Sequence, residues 1–181
     1  MRYIICGISI LCIALLSSCS HNGKVNSGMS GRWICGIEDT DIKGFEYIDI
    51  KADGGLLLED SISYSQEEDF LRVAVRAVVI NSGTWKEEDG NLTFNLKEAQ
   101  VTIDTTSLSI HSSKPEIRID STSNEFQALK KDLLREMKSN LLEKFDARSG
   151  KEVSMGRVEI VKNNEMRLTN NDIYVSMIRV R

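Results

Sequence analysis

The chain has 181 residues, 28% of them charged, and a formal net charge of −4. That length suits one domain built around a single core. The mildly acidic balance leaves no basic footprint for nucleic acid and has the wrong sign for holding anionic lipid electrostatically.

The chain opens with Arg2, followed by Tyr3 to Leu16, a run apolar apart from Gly7 and Ser9. The run is shorter than the roughly 20 residues a membrane span requires and has the length of a secretory h-region. Leu16-Ser17-Ser18-Cys19 follows it directly. These four residues resemble the bacterial lipobox: an aliphatic residue, two small ones, then the cysteine that takes the lipid. The resemblance implies a diacylglyceryl group on the Cys19 thiol, cleavage before Cys19 and acylation of the new amino group. An ordinary signal peptide with an incidental cysteine is the alternative. Each buried methylene contributes about 0.8 kcal/mol and stable anchoring takes two signals, so a multiply acylated Cys19 anchors the domain to a membrane unaided. Ser20 is not the Asp that retains enteric lipoproteins in the inner membrane, so the resemblance favours the outer membrane. Ser20-His21-Asn22-Gly23 lacks the acidic run that sends some Bacteroidetes lipoproteins to the cell surface, which favours a periplasm-facing orientation.

Cleavage leaves 163 residues, with 22 basic side chains against 27 acidic. Cys6 and Cys12 depart with residues 1–18, and a lipidated Cys19 leaves Cys35 alone. No intrachain disulfide is then available. Cys35 sits in Trp33-Ile34-Cys35-Gly36 and reads as a buried small hydrophobe rather than a nucleophile. Residues 19–30, polar and rich in Gly, Ser and Asn, read as a lipidated flexible tether, with a single β domain over 31–181.

From Gly31 to Ile110 short strands alternate with turns about every 8–12 residues, the pattern of an antiparallel barrel or strongly curved sheet. Strands are expected over Arg32 to Ile37, Phe45 to Ala52 and Leu56 to Tyr64, with a hairpin at Asp53-Gly54-Gly55. Ser65 to Asp69 reads as a polar tip. Phe70 to Ile80 places Leu71, Val73, Val75, Ala77 and Val79 on one face by period two. Asn81-Ser82-Gly83 reads as a turn, and Asp89-Gly90-Asn91 as a tight hairpin between Thr84 to Glu87 and Leu92 to Leu96. Gln100 to Ile110 alternates less regularly, with an interruption expected near Asp104-Thr105. Glu116 to Asp120 reads as a short strand.

The period then changes to 3.6. Phe126, Leu129, Leu133, Met137 and Leu141, with Leu134, Leu142 and Phe145 beside them, form one apolar stripe of a helix over about 123–147. Thr122 and Glu125 fit a capping box, Lys144 and Arg148 suit the C-terminal end of the helix dipole, and Gly150 can close the helix. The polar face mixes Lys130, Lys131, Arg135 and Lys138 with Asp132, Glu136 and Glu143. A membrane-surface helix would carry a basic face, so this helix is expected to pack on the sheet. Glu152 to Val161, Met166 to Thr169 and Ile173 to Val180 complete the strands.

Gly31-Arg32-Trp33, repeated at Gly83-Thr84-Trp85, resembles the opening signature of lipocalins and their calycin relatives, and with the lipobox is similar to the small Bacteroidetes lipocalin-like lipoproteins. The resemblance implies a lipocalin-like barrel whose opening tryptophan, Trp33, packs at the closed end under an arginine of the last strand. Arg179 is the matching position. It also implies a small apolar ligand held in the interior, for which Arg72, Arg76 and Trp85 are candidate contacts. Arg72 and Arg76 read equally as the outward face of an amphipathic strand. The helix departs from the family's order, since about three strands follow it.

Catalytic signals are sparse. With His21 in the tether, His111 is the domain's one histidine, in a loop-like stretch, and neither a Ser-His-Asp arrangement nor a zinc site is suggested. No metal, cofactor or enzymatic activity is expected. Two functions from different classes remain: a lipid-anchored barrel binding a small apolar ligand in a pocket of roughly several hundred Å³, and a solid-core structural or interaction lipoprotein that contacts envelope partners and holds no ligand.

Overall fold

A computed structural model describes residues 28–68, 70–112, 114, 121–162, 164–170 and 173–180. Among these residues nine strands and one helix run in the order β1 (Gly31–Glu38), β2 (Ile42–Ile50), β3 (Gly55–Glu68), β4 (Leu71–Glu88), β5 (Asn91–Leu96), β6 (Gln100–Ser112), α1 (Asn124–Asp146), β7 (Glu152–Lys162), β8 (Glu165–Asn170) and β9 (Ile173–Arg179). Each pairing is antiparallel. Eight of the strands close into an up-and-down barrel through β3-β2-β1-β9-β8-β7-β5-β4, with β4 returning to β3. Of the two sheet forms expected from sequence, the closed barrel is the one observed.

β4 makes this architecture possible. Its second half pairs with β5 and its first half with β6 on the same side, while β3 runs along the other side from Gly55↔Thr84 to Glu68↔Leu71. The sheet β2-β3-β4-β6 therefore rises beyond the barrel as a curved wall. The expected turn at Asn81-Ser82-Gly83 is absent because the chain runs straight through it. Gly83 passes so close to the Asn95 backbone that a Cβ there would collide with its carbonyl. The tip expected at Ser65 to Asp69 is likewise shorter, since β3 pairs to Glu68. The hairpin at Asp89-Gly90 forms as expected, both residues taking positive φ, 53° and 81°. β6 breaks register where expected: Ala74 pairs with Ser109 but Arg76 with Asp104, and the loop so formed is pinned by Thr106 N–H donating to Asp104 (3.0 Å) and Arg76 N–H donating to Ser107 (2.7 Å).

The helix lies where the 3.6 period put it. Its N-cap is Ser123, one residue later than the capping box suggests, and the Ser123 hydroxyl accepts from the Phe126 amide at 3.0 Å. Leu133, Met137, Leu141 and Phe145 are buried against the inner face of the wall, whereas Leu129, nearer the start of the helix, is 40% exposed. Glu116 to Asp120 lies outside the described residues.

Two apolar cores result. The first fills the barrel: Trp33, Ile48, Ile50, Leu56, Leu58, Trp85, Leu92, Phe94, Leu96, Met166, Leu168 and Met177 point inward. Met29 joins them, fully buried, although its sequence context placed it in the tether; its carbonyl accepts from Trp33 Nε1 at 2.8 Å, which closes the base of the barrel. The second core lies between α1 and the wall and contains Ile37, Ile42, Ile62, Tyr64, Val73, Val75, Ala77 and Val79.

Candidate functional site

The two cores meet at a row of polar side chains that the strand register sets at one height. Period two points Cys35 inward from β1, Glu46 from β2 and Asp60 from β3. Cys35 pairs directly with Glu46, and Glu46 with Asp60. Asn81 extends the row on β4, diagonal to Asp60 beside the Asp60↔Val79 pair. Glu46, Asp60 and Asn81 are the buried polar or charged residues among those described, at 4%, 0% and 0% exposure.

The chain leaving α1 supplies the counter-charge. The Arg148 side chain is 12% exposed, its guanidinium rests 5.0 Å from the Phe145 ring, and its Nη1 stands 3.9 Å from Glu46 Oε1. Sequence placed Arg148 at the cation-favouring end of the helix dipole; its side chain also turns inward, toward a buried carboxyl. The Cys35 thiol donates to Glu46 Oε2 at 3.6 Å. Asn81 Nδ2 donates to the Lys97 carbonyl at 3.1 Å, and the Ser149 hydroxyl donates to the same carbonyl at 2.8 Å. The link between β5 and β6, the end of the helix and the polar row therefore form one connected unit.

Burial raises the pKa of both carboxyls, and for Asp60 the neighbouring Glu46 adds to the rise, carrying it to about 8. Arg148 opposes the shift at each. Asp60 and Glu46 lie within hydrogen-bonding reach of each other once one of them carries a proton, whereas Asn81 Oδ1 is buried without a described donor. A buried group left in that state costs about 1–3 kcal/mol.

The residues singled out from sequence are dispersed. Arg179 lies with its guanidinium 4.6 Å from the Trp33 ring, paired in register with it, and donates to the Gly28 carbonyl at 2.6 Å. Arg72 and Arg76 are exposed on the outer face of β4, pointing away from the interior, and Arg76 binds Asp104 at 3.0 Å. Trp85 is buried at the barrel's base and donates through Nε1 to the Lys51 carbonyl at 2.8 Å. The three expected ligand contacts thus do not share a cavity. His111 is exposed on β6 opposite Arg72. Cys35 is buried, and Cys19 lies outside the described residues. No group of three or more potential metal ligands occurs among the described residues.

The centre of the barrel is filled. A void large enough for a water molecule leaves accessible surface on the side chains around it. Trp33, Ile48, Leu58, Leu92, Phe94 and Met166 have none. A depression of about 200 Å³ is lined by Trp85 and Phe94 together with Thr84, Lys86, Thr93, Asn95 and Glu152, so Trp85 alone of the three expected contacts borders it. No known protein family matches this chain, and no characterised protein matches it in sequence.

Proposed function

We propose that this protein is a lipocalin-like lipoprotein, anchored through lipid on Cys19 to the outer membrane and facing the periplasm, whose solid β-barrel serves as a structural or interaction module. The observation that carries the choice over a ligand carrier is the filled centre of the barrel. Trp33 and Phe94, the two largest fully buried side chains, occupy the space an apolar ligand would need. The lipocalin-like part of the reading is supported by the barrel meander, the Gly31-Arg32-Trp33 opening and the Arg179 guanidinium over Trp33. A non-catalytic role is supported by the arrangement of reactive groups: the carboxyl pair is buried, and His111 lies apart from it on the exposed face of another strand.

Native mass spectrometry of protein purified from cells is expected to give the mass of the lipidated chain with no adduct, and a bound apolar molecule would return the ligand-carrier reading. For the anchor, Cys19→Ser protein grown with labelled palmitate is expected to lose both label and membrane association. Retention of both would refute the lipid assignment.

A further inference from the structure

The polar row holds two buried carboxyls and one guanidinium, and that guanidinium belongs to the segment ending α1. We propose that the row is a proton-controlled latch: while the Glu46–Asp60 pair keeps one proton, Arg148 balances its charge and the end of α1 stays closed on the barrel mouth, and loss of that proton to solvent leaves a net buried charge that opens this seam to water. Arg148 can balance one negative charge. A second leaves a net charge in a layer bounded by apolar cores on both sides, where an uncompensated ion is not tolerated and the structure must open to water.

The groups facing the pair are few. Cys35 presents a thiol from β1, Asn81 a neutral amide from β4, and Arg148 the one cation from the helix end. The pair titrates as a unit, and burial raises both carboxyls, Asp60 to about 8, which sets the release on the alkaline side of the ordinary carboxylate range. The same end of α1 is tied to the barrel by Asp146, whose Oδ1 accepts from the Ala99 amide at 2.5 Å, and by the Gly150 amide, which donates to the Leu96 carbonyl at 2.8 Å; the row adds the one tie that a proton can change. The helix's other polar ties, Lys144 to Asp41 at 2.6 Å, and Gln66 to Glu136 at 3.0 Å and to Asn140 at 3.1 Å, sit in exposed or partly exposed surroundings. Release would uncover Ile62, Tyr64, Val73 and Val75 on the wall, together with Met137 and Leu141 on the helix. The latch therefore controls access to an apolar face that the closed barrel does not offer.

Hydrogen exchange on the full chain between pH 6 and 9.5, corrected for intrinsic rates, tests this. Amides of α1 around residues 133–145 are expected to lose at least tenfold more protection than those of β5 between pH 7 and 9.5. Asp60→Asn is expected to abolish that differential, and Arg148→Met to produce it already at pH 7. Equal loss in helix and barrel, or an Arg148→Met helix as protected as the parent's at pH 7, would overturn the proposal. Should Asp60→Asn fail to fold, 1-anilinonaphthalene-8-sulfonate reports on the parent. Its fluorescence is expected to rise several-fold above pH 8 while the near-UV circular dichroism of Trp33 and Trp85 is kept; unchanged fluorescence would count against release.

Discussion

The barrel core and the helix core each cover an apolar sheet face, by different means. In the barrel the sheet covers itself: closure leaves no edge, Met29 and Trp33 fill the base, and the central side chains are wholly buried. In the second core a single helix covers the wall, and Ile103, Leu108, Ile110, Leu134 and Leu142 stay only partly buried, against Met155, Val158 and Val175 in the first. The difference assigns the two regions different places on the stability scale. An element held by one apolar stripe and a few polar ties opens more readily than strands paired on both sides. The buried carboxyls lie at the boundary, so their charge acts first on the less secure region.

The largest effect is expected from emptying the barrel. Trp33→Ala removes the largest fully buried side chain, the bond to Met29 and the contact with Arg179. Truncations of this kind cost about 3–5 kcal/mol, which in chemical denaturation should lower the midpoint of the whole transition. Leu141→Ala, wholly buried in the helix core, is expected to cost about 2–4 kcal/mol and to separate the regions. Protection should fall in α1 while the near-UV signals of Trp33 and Trp85 persist at low denaturant. Coincident loss of both would mean that the cores form one cooperative unit.

Proton linkage sharpens the same contrast. An acid whose native pKa exceeds its unfolded one binds more protons folded than unfolded between the two values. For Asp60 those are about 8 and 3.8. Its contribution is therefore complete below pH 3.8 and is lost as pH rises through 8. The slope is up to about 1.4 kcal/mol per pH unit for one proton, diminished by any compensating titration. Denaturant melts from pH 5 to 8.5 should show the parent losing stability with rising pH and Asp60→Asn losing less. Parallel curves for the two proteins would mean that Asp60 does not carry the linkage.

Much of the fold was legible because its signals are local. Period two located the strands, period 3.6 the helix, and Asp89-Gly90 a hairpin whose positive φ values its residues accept. What was not legible depends on pairing. Asn81-Ser82-Gly83 has turn composition, but β3 on one side and β5 on the other hold it extended, and Gly83 serves the close approach of Asn95 instead of a turn. The polar row left a trace that only register could decode. Glu46 keeps the parity of Ile48 and Ile50, Asp60 that of Leu58 and Ile62, and Asn81 that of Ala77 and Val79. Each is one polar residue on an inward face, and aligning the strands brings the three to a single height. Arg148 gave no signal, since its distance from Glu46 in sequence says nothing of their contact.

The smallest expected effect tests the helix at the end remote from the polar row. Ser123 caps α1 through one hydrogen bond to the Phe126 amide, and the turns it starts pack little, with Leu129 exposed and Phe126 half-buried. Loss of such a cap costs about 1 kcal/mol. Because few contacts couple those turns to the sheet, the cost of Ser123→Ala should appear as fraying, with exchange faster near residues 124–130 and little change near 137–145. The global midpoint should then move by less than the full cap energy. A uniform loss of protection along α1 would instead show that the helix docks as one rigid rod, and that whatever loosens one end, cap or carboxyl, is felt at the other.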